Sequence, residues 1–410
     1  MKYSNSLKYM NSFLPAESRA DISQKRAAML CEGLGRINLG MRCICLPCCD
    51  AGHVCATMLE SVMVCAGHKV GRITAAYDFD SRASVLINGE IPLIEDYNGA
   101  VEELKSAVKR NIDVTFTKEE TTFVLGLLLC KMNGCEYVLL EGLSGVDFTL
   151  DAICAPYELI VTPTFYGCEC DADRLKCLCD AIRRGTREVV SGNQRSEVYN
   201  TISNACAIGG ARLYIPVKAQ FEVSDVSSRS LSFSYVGRDG FTIKNPSYIA
   251  RDCAITVIEA ALALRRGGVR MPWSSISTGL SAVASCGCFD MLSLSPKLIL
   301  DTSAGAEEAS MLKRTARELW GENTFNGITL CVSDSALDTV KAFEDGEVAD
   351  LMVCLSGEEE LPDGAIAFTA LKKAAREIWG ATRNGKDVVC LGDVGFISSL
   401  KCELLKLMNG

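Results

Sequence analysis

The stretch Leu46-Pro47-Cys48-Cys49-Asp50-Ala51-Gly52-His53-Val54-Cys55 follows a short apolar run, Arg42 to Leu46, and precedes an amphipathic segment from Ala56 to Ala66. Strand, loop and helix in that order form the setting in which a nucleotide's phosphates are held. Such a loop works through glycines that expose backbone N–H groups, a Lys for the β- and γ-phosphates, and a Ser or Thr for Mg²⁺. Here Gly52 is the only glycine, no Lys is present, and Val54 stands where the hydroxyl belongs. The residues Cys48, Cys49, Asp50, Ala51, Gly52, His53 and Val54 therefore lack the groups that would cradle a phosphate. His53 offers an imidazole that could act as a ligand, since neutral imidazole binds metals readily.

Sulfur is the other chemistry on offer. Cys43, Cys45, Cys48, Cys49 and Cys55 crowd the loop and its flanks, Cys168, Cys170, Cys177 and Cys179 form a second group, and Cys286 with Cys288 a third. Thiolates select Zn²⁺, Cu(I) or Fe–S clusters. Against a metal site, Cys-x-Cys is not a zinc spacing, and the Cys45–Cys48 pair has no second such pair to complete it. The plainer reading is that these cysteines are small apolar filler, with Cys43 and Cys45 alternating along a strand.

The remaining composition narrows the classes. A chain of 410 residues exceeds one ordinary core, so two or three domains are expected. Hydrophobic residues make up 48% and charged residues 23%, which suits a well-packed globular protein. The net charge of -9, with no Lys/Arg-rich run, argues against nucleic acid as a partner. Met1 to Ser6 has no apolar signal core and no stretch reaches membrane-spanning length, so a cytoplasmic protein that does not engage membranes is expected. The 22 Cys are scattered, which in a cytosolic chain does not read as a disulfide framework. Glu358-Glu359-Glu360 reads as a solvated turn, and Arg183, Arg184, Arg187, Arg265 and Arg266 as cations near helix C-termini.

These residues must be positioned by alternating strands and helices, the pattern of a parallel α/β sheet. Lys69 to Thr74, Tyr137 to Glu141, Tyr157 to Thr162 and Glu188 to Val190 read as strands, and Tyr97 to Arg110, Glu119 to Met132 and Ala172 to Ile182 as helices. Between about 212 and 245 the texture changes: Arg212 to Pro216, Leu231 to Tyr235 and Phe241 to Ile243 read as short antiparallel strands. A long helix, Tyr248 to Arg266, follows, and then a Ser/Gly-rich linker containing Pro272 and running to Gly287. The chain restarts with the strand Lys297 to Asp301, the helix Ala306 to Trp320, and strands at Gly327 to Val332, Leu351 to Leu355 and Asp387 to Leu391. This places a domain boundary near 295, giving domains 1–294 and 295–410.

In this order the segments resemble folylpolyglutamate synthase/dihydrofolate synthase, a branch of the Mur ligase superfamily. The likeness is carried by Met58-Leu59-Glu60-Ser61, Ala66-Gly67-His68-Lys69-Val70-Gly71 and Ile87-Asn88-Gly89-Glu90, which are similar to the family's helix, "AGYKVG" turn and "R…NG" strand. Tyr137 to Gly145 resembles "YAVLEVGLGG", and Glu188 to Gly192 resembles "PVVTG". Gly279-Leu280 and Leu298-Ile299-Leu300-Asp301 resemble the "GL" before "WPGR" and the start of "ILDGAHNP", and Val388 to Asp393 resembles "VLVTGS". The order and spacing of these blocks across the chain carry the resemblance. It implies a Mur-ligase-type parallel-sheet central domain with a small antiparallel sheet, plus a Rossmann-like C-terminal α/β domain.

The resemblance also implies ATP, two Mg²⁺ sites and a modified lysine, used to join a carboxylate to an amino acid through an acyl phosphate. Here the family's "GTNGKGS" falls on Cys48 to Val54, with Gly52 in place of the Lys, and "SPH" falls on Ala75-Ala76-Tyr77. Its metal-binding His falls within Pro163 to Gly167, its carbamylated Lys near Leu178, and "WPGR" on Ser285-Cys286-Gly287-Cys288, none of which keeps the expected group. The adenine-side Asn becomes Asp252, and "DGAHNP" becomes Asp301 to Ala306. Glu141, at the position of a magnesium-binding Glu, and Asp301 remain. Each stands at a strand end, where function in α/β sheets gathers, or is simply an inherited solvated carboxylate. Losing the groups that position and neutralise the transferring phosphoryl removes the catalyst. A non-catalytic binding or scaffolding homologue is therefore expected, with an active ligase or another subunit as a natural companion. The alternatives are an active ATP-dependent amide ligase with an atypical nucleotide site, or a thiolate metal or Fe–S protein. In that last case Cys48, Cys49, Cys168, Cys170, Cys286 and Cys288 would converge in the interdomain cleft that the family implies. His68 replaces the Tyr of an exposed turn and is expected to be structural.

Overall fold

Strands with little internal alternation bury both faces only if helices cover the sheet on both sides. The computed structural model of the chain describes residues 2–16, 23–47, 51–74, 81–141, 157–166, 172–183, 185–284, 287–355, 362 and 364–409. Within them the central sheet is 7-stranded: β1 (Arg42–Leu46), β2 (Val70–Ile73), β3 (Val85–Ile87), β4 (Tyr137–Glu141), β5 (Leu159–Thr162), β6 (Glu188–Ser191) and β7 (Arg212–Tyr214). Their spatial order is β3-β2-β4-β1-β5-β6-β7, and every pairing but that of β2 with β3 is parallel. One face carries α1 (Tyr3–Met10), α2 (Gln24–Gly33), α4 (Ile94–Arg110), α5 (Lys118–Met132), α6 (Ala172–Arg183) and α7 (Ser196–Gly209). The other carries α3 (Gly52–Cys65), α8 (Tyr248–Arg266) and α9 (Trp273–Ala282).

Along β1 the side chains alternate between these two cores. Cys43 and Cys45 pack with the first group of helices, whereas Ile44 and Leu46 pack with α3 and α8. Against the second core lies a three-stranded antiparallel sheet, β8 (Phe221–Ser227), β9 (Ser230–Tyr235) and β10 (Arg238–Ile243). It contributes Phe233, Phe241 and Ile243 to the interior.

The C-terminal sheet has the order β11-β12-β16-β13-β14-β15, built from β11 (Asp290–Leu294), β12 (Lys297–Asp301), β13 (Ile328–Ser333), β14 (Val348–Cys354), β15 (Ile366–Phe368) and β16 (Val388–Leu391). Only β11 runs antiparallel to its neighbour. On one side lies α10 (Ala306–Trp320), and on the other α11 (Leu371–Arg383) and α12 (Val394–Asn409). Among the described residues no helix is long and apolar enough to cross a membrane.

Several segments differ from the sequence reading. Arg212–Tyr214 is not antiparallel: it pairs in parallel with β6, because α7 returns the chain across the sheet between them. The Ser/Gly-rich segment after Gly268 is not all linker, since Trp273–Ala282 is helical. Pro272 sits at the N-cap, where its missing N–H costs nothing. Gly279 explains the composition: a Cβ there would lie 2.4 Å from the Cα of Val62, so only glycine lets α9 lie this close to α3. The strand Asp290–Leu294 already belongs to the C-terminal sheet, so that sheet opens ahead of residue 295. The helix after β1 begins at Gly52 rather than Ala56, which puts Gly52, His53 and Val54 in its first turn and Ala51 at its N-cap.

Candidate functional site

Adjacent parallel strands bring the first carboxylate into its setting. Glu141 ends β4 beside Leu46, the last residue of β1, and on the other side Arg72 of β2 pairs in register with Leu139. Residues 139 and 141 share a face, so Arg72 and Glu141 point toward α3 together. The first turn of α3 supplies His53, whose Nδ1 lies 2.8 Å from Glu141 Oε1. An ionised carboxylate can only accept, so Nδ1 carries the proton.

Arg72 stands between two acids. Its Nε lies 3.5 Å from Glu141 Oε2 and 3.2 Å from Glu60 Oε2, and its Nη1 donates to Thr57 Oγ1 at 2.8 Å. Thr57 in turn donates to the His53 carbonyl at 2.8 Å, and the backbone N–H of Gly89 donates to Glu60 Oε1 at 2.7 Å. Arg72, Glu60 and Glu141 are all buried. Burial alone would raise the carboxyl of Glu141, but His53 and Arg72 beside it, with a hydrogen bond from Thr74, hold it at about 2. Burial outweighs Arg72 at Glu60, whose carboxyl is raised. Two acids, Glu60 and Glu141, thus meet two bases, Arg72 and His53, beside the first turn of α3, and Glu141 Oε2 is buried with no hydrogen-bond donor among the described residues.

Asp301, at the end of β12, is equally enclosed but by neutral partners. Its Oδ2 accepts from the backbone N–H of Phe289 at 2.7 Å, and its Oδ1 accepts from the N–H of Ser303 at 2.8 Å and from Ser303 Oγ at 2.5 Å. Burial pushes this carboxyl up to about 6 in spite of those hydrogen bonds. The carboxylate thus ties the segment entering β11 to the segment leaving β12. The same junction is closed by the N–H of Thr302 donating to the Gly287 carbonyl at 2.9 Å. Gly287 has φ +85°, and a Cβ there would meet Thr302 Cγ2 at 2.9 Å and His53 Cδ2 at 3.7 Å. The imidazole of His53 therefore faces this turn across the domain boundary.

Asp252, on the first turns of α8, accepts from Tyr166 Oη at 3.0 Å and pairs with Lys218 Nζ at 3.1 Å. Burial and the neighbouring Asp252 raise the Tyr166 phenol. The domains are further joined by Arg251 to Glu318 at 2.8 Å, by Arg195 to Glu307, and by the ring of Tyr248, over which Arg251 and Arg314 sit at 4.3 and 4.1 Å.

Among the sequence-predicted residues, Glu141 and His53 are brought together, Asp301 lies across the boundary near them, and Asp252 belongs to a separate network. Glu141 is not a solvated strand end but a buried one. Ala51 and Val54 are buried core. His68 pairs with Glu136 at 3.1 Å and donates from Nε2 to the Arg270 carbonyl at 2.9 Å, a structural role. Leu178 is core. Cys48, Cys49, Asp50, Cys168, Cys170, Cys286 and the segment 75–77 lie outside the described residues. Cys288, the described member of the proposed sulfur set, is buried with its thiol 3.3 Å from Ser247 Oγ. Among the described residues no group of three or more His, Cys, Asp or Glu could hold a metal. Cys43 and Cys45 project away from His53 into the opposite core, and burial pushes the Cys43 thiol up to about 12 and raises that of Cys45. Sequence reasoning missed Arg72 and the role of Glu60. The signal was there, because a charge inside a fully buried run needs a partner.

No protein-family model and no curated protein matches this sequence. Solved structures do. Folylpolyglutamate synthetase from Lactobacillus casei is 16% identical over 99% of this chain and 100% of its own, with a TM-score of 0.77. The Thermotoga maritima folylpolyglutamate synthase is 16% identical over 98% of this chain and 96% of its own, at 0.76. The Mycobacterium tuberculosis folylpolyglutamate synthase, solved in complex with ADP, is 14% identical over 98% of both chains, at 0.78. Likeness over the whole length at so low an identity is a likeness of architecture: the chain has the two-domain fold of the folylpolyglutamate synthases.

Proposed function

We propose that this chain is a non-catalytic homologue of the folylpolyglutamate synthases, serving as a binding or scaffolding subunit in the cytoplasm. The observation that carries this reading is the pairing of Glu141 with His53 at 2.8 Å and with Arg72 at 3.5 Å. A ligase of this fold would need that carboxylate for Mg²⁺. A divalent cation placed on it would stand beside a buried guanidinium and compete with it for the same oxygens. Mg²⁺ also demands a near-octahedral set of oxygens at about 2.0–2.1 Å. Oε1 is already taken by His53, and Oε2, buried without a hydrogen-bond donor, faces the Arg72 guanidinium at 3.5 Å, so the ion would find one open oxygen beside a fixed positive charge, a poor fit.

Asp301 supports the same reading, because each of its oxygens already accepts from the protein itself. Asp252 likewise meets Tyr166 and Lys218. Phosphoryl transfer depends on positioned cations that neutralise developing charge, and here the cations are spent on the protein's own acids. A scaffolding role implies a companion, and an active ligase of the same fold is the natural one.

The test is calorimetric titration of the full chain with ATP and Mg²⁺, followed by an assay for glutamate-dependent phosphate release with a reduced folate or dihydropteroate. Neither binding at low micromolar concentration nor release is expected. A micromolar dissociation constant, about -8 kcal/mol, or release abolished by Glu141→Ala, would establish a working ligase with an atypical nucleotide site.

A further inference from the structure

A cavity of about 470 Å³ opens between the small antiparallel sheet and the C-terminal domain, and its lining includes neither His53 nor Glu141. Cations reach it from separate elements: Arg229 from the turn between β8 and β9, Lys244 from just beyond β10, and Lys401 from α12. Asp290, at the start of β11, is the carboxylate of the lining, and it accepts from Lys401 Nζ at 2.7 Å. Arg229 and Lys244 have no ion pair among the described residues. Phe289 and Met291 give the cavity an apolar wall.

A second cavity of the same volume shows what a merely structural basic cluster looks like. It is lined by Tyr248, Lys313, Arg314 and Arg317 among others. There Lys313 pairs with Glu347 at 2.6 Å, Arg317 with Glu347 at 3.0 Å, and Arg314 lies 4.1 Å above the Tyr248 ring. Its cations are engaged. In the first cavity Lys401 is engaged by Asp290, but Arg229 and Lys244 are not in an ion pair among the described residues, although the chain as a whole has a net charge of -9.

We infer that the first cavity is a binding site for a small molecule carrying at least two negative charges, carboxylate or phosphate, on an apolar body. Arg229 and Lys244 would hold the charges, and Phe289 with Met291 would pack against the body. The volume suits one such molecule, and boundaries between domains are where ligand sites gather. Since the small sheet supplies one wall and β11 with α12 the other, the ligand would clamp the two domains together. The inference does not depend on the loss of ligase activity, because it concerns a different cavity.

Calorimetric titration of the full chain at about 0.1 M salt tests it, with inorganic pyrophosphate and citrate as separate probes so that phosphate and carboxylate are distinguished. Saturable binding of at least one probe at a single site, with a dissociation constant of about 1 mM or tighter, is expected. The doubly neutralised variant R229Q/K244Q should weaken it at least tenfold, and His53→Ala should change it less than twofold. Both substituted residues are exposed, so the variant should fold, and R229Q alone, with a several-fold loss, serves where the pair does not. Lys401 is left intact because its removal would break its ion pair with Asp290. No saturation by either probe up to about 10 mM, no effect of the variants, or loss of binding in His53→Ala would each overturn the inference.

Discussion

Glu141 and Asp301 occupy the same topological place in the two sheets, at the C-terminal end of a parallel strand, and both are buried. Their surroundings make them opposites. Glu141 faces His53 and Arg72, and its carboxyl is held at about 2. Asp301 faces backbone N–H groups and a serine hydroxyl, and burial lifts it to about 6. Desolvation acts on both, and the difference is whether full opposite charges stand within reach, since the nearby Asp290 only adds to the rise at Asp301. In the central domain a cation has been built into the protein. In the C-terminal domain dipoles hold a carboxylate that is half-way to being neutral at mildly acidic pH. Removing the built-in cation should therefore be the most damaging single change.

Arg72→Leu takes the central base from Glu60 and Glu141 and leaves two buried acids with His53 alone. Breaking a buried pair from one side costs about 3–5 kcal/mol, which should appear as a lowered urea midpoint for the central domain. Glu60→Gln in the same molecule should recover part of the loss, because it removes one of the stranded charges. A cost below about 1 kcal/mol would mean that the cluster is solvated and that the contrast with Asp301 is not real.

The pH dependence separates the two acids by sign. Glu141 has a folded value of about 2 against an ordinary 4.5. The unfolded chain therefore binds the proton first, and about 3 kcal/mol of stability present above pH 4.5 is lost as the pH falls toward 2. Asp301 has a folded value of about 6 against 3.8. Here the folded chain keeps the proton longer, so the group lowers stability as the pH rises from 3.8 to 6, again by about 3 kcal/mol at most. Glu141→Gln should flatten the acid limb alone, and Asp301→Asn should flatten the limb between pH 4 and 6 alone. Denaturant midpoints measured from about pH 2 to 7, with tryptophan fluorescence of the C-terminal domain as one probe, would show both. A single limb removed by both variants would sink the distinction.

Asp301→Asn carries a smaller cost of its own at neutral pH. The amide offers one acceptor where the carboxylate offered two, so either Phe289 or Ser303 loses its partner, at about 1–3 kcal/mol. The loosened segment is the turn through Gly287 that faces His53. Hydrogen exchange should therefore rise at Phe289 and Thr302 before it rises in the core strands. Uniform exchange would show that Asp301 supports the whole domain rather than this junction.

What could be read from the sequence follows from what kind of signal each feature carries. Glu141 and Asp301 stood out because the resemblance matches them to carboxylates of the family's motifs, and each also ends an apolar run, where topology makes the strand end a meeting place. Arg72 did not, because it lies inside a run read simply as a strand, and its partners come from residues 60 and 141. Only pairing in space makes a base of β2 and an acid of β4 neighbours. The parallel course of β7 was hidden because the crossover helix Ser196–Gly209, whose apolar residues are interrupted by two Ser and two Asn, was not read from the sequence. The helix Trp273–Ala282 was hidden by Ser and Gly as well, yet Gly279 is there for close packing and not for flexibility. Composition reports what a segment is made of, and these misses all turn on what it is packed against.

The cysteines give the smallest expected effect and the last test of the comparison. If the thiols of β1 were part of a metal centre facing His53, they would be ligands in the same cleft as Glu141. Instead Cys43 and Cys45 alternate with Ile44 and Leu46, and so point into the core on the far side of the sheet. The thiolate is the species that binds metal, and burial makes it costly by pushing Cys43 up to about 12. As filler, each sulfur contributes through the space it occupies. Cys43→Ala should then cost about 1 kcal/mol, at the low end for a small buried truncation. It should leave the metal content of anaerobically purified protein unchanged and the pH limb assigned to Glu141 in place. Loss of a bound metal or of a visible absorption band with Cys43→Ala would instead place a thiolate on β1 and overturn the assignment of its two faces.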